Sequence, residues 1–294
     1  MCVWTPHSFG SLFQGADRTD VQKELFGRGL KASNVWYGHA HALTLVQPAL
    51  PDGFEALCKA EDRPCTTYDH SGWCFVEASL SSLLKRNTCR LDLGKFTAEK
   101  MFYPALSYAM EQCSSGTRPP PMLPERVAAE LEHKSFFSRA DVPTVAQLYA
   151  TFFDAVSPAQ TQLHLSRLGW GAGEVAVLSE ALPRFERLVH LDLSGHRNIG
   201  PAGGRALAKA LEVNAVLTNL SVASNSRISG EAAQQLAAAA LGSKSLKVLS
   251  EVPIQELREE KHTELDLSDK GLGPTEGIVL AELLKVNAVL TSLK

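Results

Sequence analysis

A leucine pattern that recurs through the second half of the chain constrains the fold more than any other feature. Four segments each place a leucine two residues before another apolar residue: Leu163, Leu191, Leu220 and Leu265. The steps between these leucines are 28, 29 and 45 residues, and the long step contains a divergent unit around Leu249. Residues 286–293, VNAVLTSL, repeat residues 213–220, VNAVLTNL, with one change. Such self-similarity predicts a row of similar structural units.

Each unit carries one strand signal and one helix signal. The L-x-L segments alternate apolar and polar residues with a period of two, which indicates strands. Between them, stretches such as GGRALAKALEV place apolar residues at helical spacing, as at Leu207, Ala210 and Leu211. One strand and one helix in 28 or 29 residues cannot bury their own apolar faces, so the units are expected to stack.

The repeated unit resembles a known repeat family. The pattern L-x-x-L-x-L-x-x-x-x-hydrophobic-G, followed by a helix, is similar to the ribonuclease-inhibitor-like leucine-rich repeats over residues 160–294. The resemblance implies a solenoid in which an asparagine at each strand-to-loop turn satisfies backbone groups. The corresponding positions here are mixed, so that asparagine ladder is not expected throughout: they are Leu168, His196, Asn225 and Lys270.

The resemblance also implies a binding surface. In such a solenoid the residues between the strand leucines point to the concave face, which binds a protein partner. Here those residues are small and polar, without an aromatic anchor, so a solvated strand face without a partner is the alternative. The candidate partner-binding residues are His164, His190, Asp192, Asn219, Ser221, Glu264 and Asp266.

The segment YDHSGWCFVE, residues 68–77, begins a helix that is expected to run from Ser71 to Lys85. Asp69 or Ser71 can cap its N-terminus by accepting backbone N–H bonds. The apolar residues that follow Trp73 lie on one stripe, which places the indole in the core. Glu77 lies at the edge of that stripe, in the first turns, where it suits the helix dipole. These residues alone favour a structural role.

The spacing Y-x-x-S-x-W-C-x-x-E resembles the start of a helix in TIR domains, over residues 40–95 at most. In the enzymatic members of that family, the glutamate of this helix cleaves the glycosidic bond of NAD. The resemblance therefore implies a catalytic role for Glu77, with NAD as substrate and not as cofactor. Residues 51–68 form an insertion of about 18 residues between the predicted strand and this helix, where the family keeps the two close.

The first half of the chain alternates strand and helix signals, which favours an α/β unit with a parallel sheet. Strands are predicted around 42–47 and 88–94, and helices over 21–30, 71–85 and 97–112. The predicted fold class is thus α/β, a small and incomplete TIR-like module followed by a leucine-rich-repeat solenoid. The expected regions are a loosely ordered N-terminus (1–20), the TIR-like module (21–112), a Pro/Gly/Ser-rich connection (113–124), a helical bridge (125–156) and the repeats (157–294).

Composition excludes several classes of function. The net charge is −3 and the isoelectric point about 6.3, so the basic surface that nucleic acid or an anionic membrane requires is not expected. The first twenty residues lack a basic segment followed by an apolar run, so no export signal is expected. A cytoplasmic location with reduced cysteines follows as the prediction.

Neither a metal nor a cofactor is expected. The six cysteines include no Cys-x-x-Cys pair, which makes a zinc site of the common type improbable. The pair His39 and His41 lies on one face of a predicted strand, but the spacing matches no standard ligand pattern. Histidines on a solvent-facing strand are the favoured interpretation.

The sequence therefore favours a non-catalytic scaffold that binds a protein partner through its repeats. The alternative is a TIR-like enzyme that cleaves NAD or processes another nucleotide with Glu77. The last repeat stops at Leu293 and Lys294, within a predicted strand, and an uncapped repeat exposes apolar surface. We expect self-association through this end, with four partly exposed leucines: Leu280, Leu283, Leu290 and Leu293.

Overall fold

A computed structural model describes residues 18–46, 50, 52–62, 65–86, 89–95, 113, 118–136 and 138–294. The chain divides into two compact units, residues 1–154 and 155–294. The predicted helix over 97–112 and most of the predicted N-terminal region lie outside the described residues. Within the described part, no helix combines the length and the apolar character needed to cross a bilayer.

The first unit is built around a pair of short parallel strands. Strand β1 (Thr44–Val46) pairs with strand β2 (Arg90–Asp92), with Leu45 opposite Leu91. Both strands and the helix after residue 71 were predicted, and the structure confirms them. The helices in the described part of this unit are α1 (Asp20–Gly38), α2 (Phe54–Ala60), α3 (Gly72–Leu84), α4 (Pro124–Glu132) and α5 (Asp141–Val156).

Helix α1 is longer than its sequence predicts. The sequence predicts a helix over residues 21–30 only, with an end at Gly27 or Gly29, because glycine in a helix interior costs about 1 kcal/mol relative to alanine. The helix instead continues to Gly38 and packs against α3. Tertiary packing thus outweighs the local preference of the two glycines.

Helix α5 supplies an apolar face to the core of the first unit. Val145, Tyr149 and Phe153 lie four residues apart on one side of the helix and are fully buried. The Tyr149 hydroxyl donates a hydrogen bond to the Met122 carbonyl at 2.7 Å and accepts one from the Met122 N–H at 3.3 Å. Burial raises the pKa of Tyr149. The Tyr149 hydroxyl therefore fixes the backbone of the segment that leads into α4.

The second unit contains a four-stranded parallel sheet in sequence order, made of strands β3 to β6. Its leucines face each other along one buried row: Leu163, Leu191, Leu220 and Leu249. The helices α6 to α8 pack side by side next to this row. The bounds are β3 (Gln162–His164), α6 (Ala172–Ala181), β4 (His190–Asp192), α7 (Gly200–Val213), β5 (Asn219–Ser221), α8 (Glu231–Gly242) and β6 (Val248–Leu249).

The row of strands does not continue to the end of the chain. Helix α9 (Ile254–Arg258) is followed by strand β7 (Glu264–Leu265). This strand pairs with β8 (Ser292–Leu293) in a separate two-stranded sheet, and helix α10 (Pro274–Leu284) connects the two strands in sequence. Only 16 residues separate Leu249 from Leu265, which leaves room for the five-residue α9 but not for a full helix. Among the helices of this unit, α8 packs directly against α10.

The predicted fold class is therefore wrong. The described residues form a mixed α/β fold whose short parallel strands belong to sheets of two, four and two strands. The continuous solenoid was inferred from leucine spacing, and that spacing fails at the shortened unit between Leu249 and Leu265. The strand–helix units themselves are present on either side of the break.

Two of the four leucines that were expected to be exposed near the end of the chain are buried. Leu280 and Leu283 belong to α10 and are covered where α10 packs against α8. Leu290 is half-buried, whereas Leu293 in β8 is 43% exposed. The exposed apolar surface at this end is smaller than the sequence predicts.

Candidate functional site

The start of helix α3 is held by three successive residues of the YDHSGWCFVE segment. The Ser71 hydroxyl caps the helix by accepting a hydrogen bond from the Cys74 N–H at 3.4 Å. Gly72 has no room for a side chain, since a Cβ there would lie 2.0 Å from Cζ of Phe136. The Trp73 indole is half-buried, not in the core as predicted, and donates to Asp141 Oδ2 at 3.3 Å.

Glu77, which the sequence places at the edge of the apolar stripe, is buried. Its side chain is 7% exposed, on the same face of α3 as the fully buried Ser81. Ser81 Oγ donates to the Ala78 carbonyl at 2.9 Å and accepts from Arg90 Nε at 3.2 Å. This polar side of α3 therefore faces β2.

Two buried arginines meet α3 at its central turns. Arg90 comes from β2 and is 2% exposed, and Arg118, 4% exposed, donates through Nε and Nη2 to the Ser82 carbonyl at 3.0 and 2.7 Å. Burial lowers the pKa of Arg118 to about 9, and the positive charge of Arg90 contributes to that shift. Neither arginine was predicted as a site residue, because an arginine in a short strand or loop carries no signal of burial.

Lys85 closes the C-terminal end of the same helix. Its ammonium group donates to the carbonyls of His39 and Ala42 at 2.7 and 2.6 Å, so it ties α3 to the turn before β1. Burial lowers the pKa of Lys85 to about 8, while the nearby Cys89 acts in the opposite direction. A buried carboxylate and three buried cations thus lie along one helix, and most of their observed bonds serve to join secondary-structure elements.

The described histidines of the first unit include one close pair. The rings of His39 and His41 lie 5.9 Å apart at a tilt of 60°. Across the described ranges, no three His, Cys, Asp or Glu side chains converge as ligands of a metal ion.

The second candidate site is the polar face of the four-stranded sheet. His164, Asp192 and Ser221 lie opposite one another on β3, β4 and β5, and His190 lies opposite Asn219. All five side chains are half-buried, and the rings of His164 and His190 are 5.6 Å apart. Because parallel strands keep their register, these side chains form one continuous polar row, which we call the strand face.

The remaining two predicted binding residues lie on the other sheet of this unit. Glu264 and Asp266 are exposed, at and just after β7. Asp266 Oδ1 accepts hydrogen bonds from the Ser268 hydroxyl and backbone N–H at 2.5 and 2.9 Å, and these bonds lower the pKa of Asp266. The structure therefore groups five of the seven predicted residues and separates two.

The turns after β4 and β5 are fixed by two buried polar side chains. Asn225 Nδ2 donates to the carbonyls of Val222 and Leu193, both at 2.8 Å. His196, 29 residues earlier, makes the equivalent bond through Nε2 to the Leu165 carbonyl at 2.6 Å. A consistent ladder was not predicted from the mixed residues, yet these two positions make equivalent bonds, because an imidazole N–H can replace the amide donor.

The same histidine is held in one tautomer. His196 Nδ1 accepts a hydrogen bond from the backbone N–H of Trp170 at 3.0 Å. The ring proton therefore resides on Nε2 and the ring is neutral. The Trp170 ring stacks on the imidazole with centroids 5.3 Å apart. Burial lowers the pKa of His196, against smaller opposing effects of the Leu165 carbonyl, Asp192 and Glu174.

The repeated motif VNAVLT has one physical role in both of its copies. Asn214 Oδ1 accepts from the N–H groups of Val216 and Leu217 at 3.1 and 2.7 Å, and so forms the turn between α7 and β5. Asn287 makes the same two bonds, at 3.1 and 2.8 Å, before β8. The two identical VNAVLT segments thus form the same turn before a strand. This holds whether or not that strand joins the four-stranded sheet.

A small gap in the core lies between the four-stranded sheet and α7. It is lined by Ala210, Asn214 and six leucines, which are Leu182, Leu191, Leu207, Leu211, Leu217 and Leu220. The side-chain oxygen of Asn214 already accepts hydrogen bonds from the N–H groups of Val216 and Leu217, and the other walls are apolar, so we interpret the gap as imperfect packing.

Comparison with known proteins gave no match: no family model, no curated protein and no solved structure is significantly similar to the chain.

Proposed function

We propose that this protein is a non-catalytic interaction or scaffold protein that binds a protein partner through the strand face. The observation that carries the proposal is the in-register row of five half-buried polar side chains on β3, β4 and β5: His164, His190, Asp192, Asn219 and Ser221. The row offers hydrogen-bond donors and acceptors at the strand spacing of about 4.8 Å. A partner polypeptide presents its own polar groups at similar intervals.

Rigidity supports the same proposal. The strand face lies directly over the buried leucine row, and its turns are held by Asn225 and His196. The Val222 N–H also donates to the buried Ser250 hydroxyl at 2.8 Å, which joins the turn after β5 to the turn after β6. A surface that is ordered before binding loses less conformational entropy when a partner arrives.

The test compares two double variants of the full chain as baits in a cell extract. His190→Ala with Asn219→Ala shortens two side chains of the strand face. Arg205→Ala with Lys209→Ala removes two exposed side chains from α7 and serves as the matched control. We expect the first variant to lose at least about tenfold of a specific partner that wild type and control retain. Equal recovery by all three proteins, each with unchanged thermal stability, would contradict the proposal.

An NAD-cleaving activity through Glu77 is the second candidate function. Its support is the TIR-like spacing of residues 68–77 together with the burial of Glu77, because a buried glutamate can stabilise developing positive charge on a ribose. The test follows nicotinamide release from NAD by concentrated wild-type protein and by Glu77→Gln. The absence of release from folded wild type would remove this candidate.

A cytoplasmic location accompanies both candidates. It is supported by the free cysteines among the described residues, which are Cys58, Cys65, Cys74, Cys89 and Cys113. Localisation of the tagged full chain by microscopy tests it.

A further inference from the structure

Charge is unevenly distributed along the second unit. Residues 155–250 carry nine basic and six acidic side chains, whereas residues 251–294 carry five basic and nine acidic ones. The change of sign coincides with the break between the four-stranded and the two-stranded sheet. The unit therefore has a basic part and an acidic part, although the net charge of the whole chain is only −3.

The basic part presents arginines at one edge of the sheet. Arg167, Arg197 and Arg227 lie in the turns that follow β3, β4 and β5, and all three are exposed. Because the carboxyl ends of parallel strands meet at one edge, these turns are neighbours. None of the three turns, residues 165–171, 193–199 and 222–230, contains an acidic residue.

This arginine edge is structurally defined. The turns are joined by backbone bonds, from the Arg167 N–H to the Ser194 carbonyl at 2.8 Å and from the Gly195 N–H to the Ala223 carbonyl at 2.9 Å. Arg167 lies across Gly195, where a Cβ would come within 2.8 Å of the arginine Cγ. Arg227 Nη1 donates to Asn198 Oδ1 at 2.9 Å.

The same edge continues with the opposite sign. Glu251 follows β6, and Asp266 and Asp269 follow β7; all three are exposed. The Ser224 N–H donates to the Gly271 carbonyl at 2.7 Å, which places the turn after β7 beside the turn after β5. Lys270 offsets part of this negative charge. Along the edge, the charges therefore run from positive after β3 to negative after β7.

We propose that this edge is a homotypic interface, and that two copies of the chain pair through it in antiparallel orientation. A row that is positive at one end and negative at the other becomes its own complement after a two-fold rotation. The arginine turns of one copy then face Glu251, Asp266 and Asp269 of the second copy, twice over. Two-fold interfaces of this self-complementary type are the commonest among homo-oligomers.

The second copy is the occupant that the charge pattern specifies. A purely acidic partner would match the arginine turns but would be repelled by Glu251 and Asp269, whereas a second copy satisfies both ends. The inference rests on the proposed protein-binding function and names one partner for it.

The test uses charge-reversal pairs in the full chain, with mass measured by light scattering across a concentration series. Wild type is expected to form a dimer that weakens as salt is raised, since about 0.1 M salt screens exposed charges beyond about 10 Å. Arg197→Glu with Arg227→Glu, and separately Glu251→Lys with Asp269→Lys, are each expected to weaken the dimer at least about tenfold. An equimolar mixture of the two variants is expected to restore a dimer that contains one copy of each.

The matched control is Arg205→Glu with Lys209→Glu, which makes the same change of charge on the outer face of α7. It is expected to leave the dimer intact. Three results would overturn the proposal: monomeric wild type at every concentration, an equal loss in the control, or no recovery in the mixture. Assemblies larger than a dimer would overturn the two-fold arrangement. If wild type is monomeric but the strand-face variant still loses a partner from cell extract, the homotypic interface fails and the proposed function stands.

Discussion

At the scale of single residues, the second unit depends on polar side chains buried inside its turns. Asn225 and His196 stand 29 residues apart and bind equivalent carbonyls, but they respond differently to acid. An amide does not titrate, whereas a neutral imidazole accepts a proton near pH 6 to 7 when it is exposed to water. The sequence shows two unlike residues at these positions, and their common role depends on the three-dimensional position of the carbonyls.

His196 should make the second unit sensitive to acid. Burial lowers the pKa of His196 in the folded protein, while in the unfolded chain it stays at about 6.5. The unfolded state therefore binds more protons below about pH 6.5, and the stabilising contribution is lost as the pH falls from there through the lower folded pKa. The loss is at most about 1.4 kcal/mol for each pH unit.

Urea unfolding at about pH 7.5 and about pH 5.5 checks this prediction. His196→Asn keeps a donor for the Leu165 carbonyl without a titrating group, and it should lose less unfolding free energy between the two pH values than wild type. The same pH dependence in both proteins would show that His196 is not the acid-sensitive group.

At the scale of elements, the structure separates what local sequence determines from what it does not. The strands and helices around Leu191 and Leu220 follow directly from the period of their apolar residues. The burial of Glu77 does not, because its predicted place at the edge of the apolar stripe gives no sign of what covers it. One turn further along the helix, Ser81 binds Arg90 of β2, a contact that the helical period does not encode. The burial of Arg90 and Arg118 was unpredictable for the same reason.

The two copies of VNAVLT allow one element to be tested twice. Asn214→Ala removes the acceptor of two backbone N–H groups and should lower the unfolding free energy by about 1–2 kcal/mol; Asn287→Ala should act in the same direction. Val213 precedes Asn214 and is 76% exposed, so Val213→Ser serves as a control with little effect. Thermal or urea unfolding measures all three. Equal losses in Asn214→Ala and in the control would refute the role assigned to the asparagine.

At the scale of the whole molecule, the leucine spacing predicted neighbouring units but overestimated their continuity. Leu163, Leu191, Leu220 and Leu249 align in one sheet, and Leu265 does not join them. A period read from sequence assumes that each unit holds a full helix, and α9 with five residues does not satisfy that condition. The same break gives the second unit its two sheets and separates Glu264 and Asp266 from the strand face.

Leu191 lies in the middle of the buried row, beside the core gap, and Leu191→Ala should remove about 2–5 kcal/mol of stability from the second unit. The first unit has its own core around Tyr149 and Phe153, so its amide protons should keep their protection after the substitution. Hydrogen exchange, resolved by segment, separates the two responses. An equal loss of protection on both sides of residue 155 would contradict the division into two units.

Site-specific photo-crosslinking in cells tests the central claim, that the strand face binds protein, most directly. A photoreactive amino acid replaces Asn219 on β5 in one variant and Lys209 on the exposed side of α7 in the other. The account predicts protein adducts of defined mass from position 219 and none of these adducts from position 209. No adduct from position 219, or the same adducts from both positions, would contradict it.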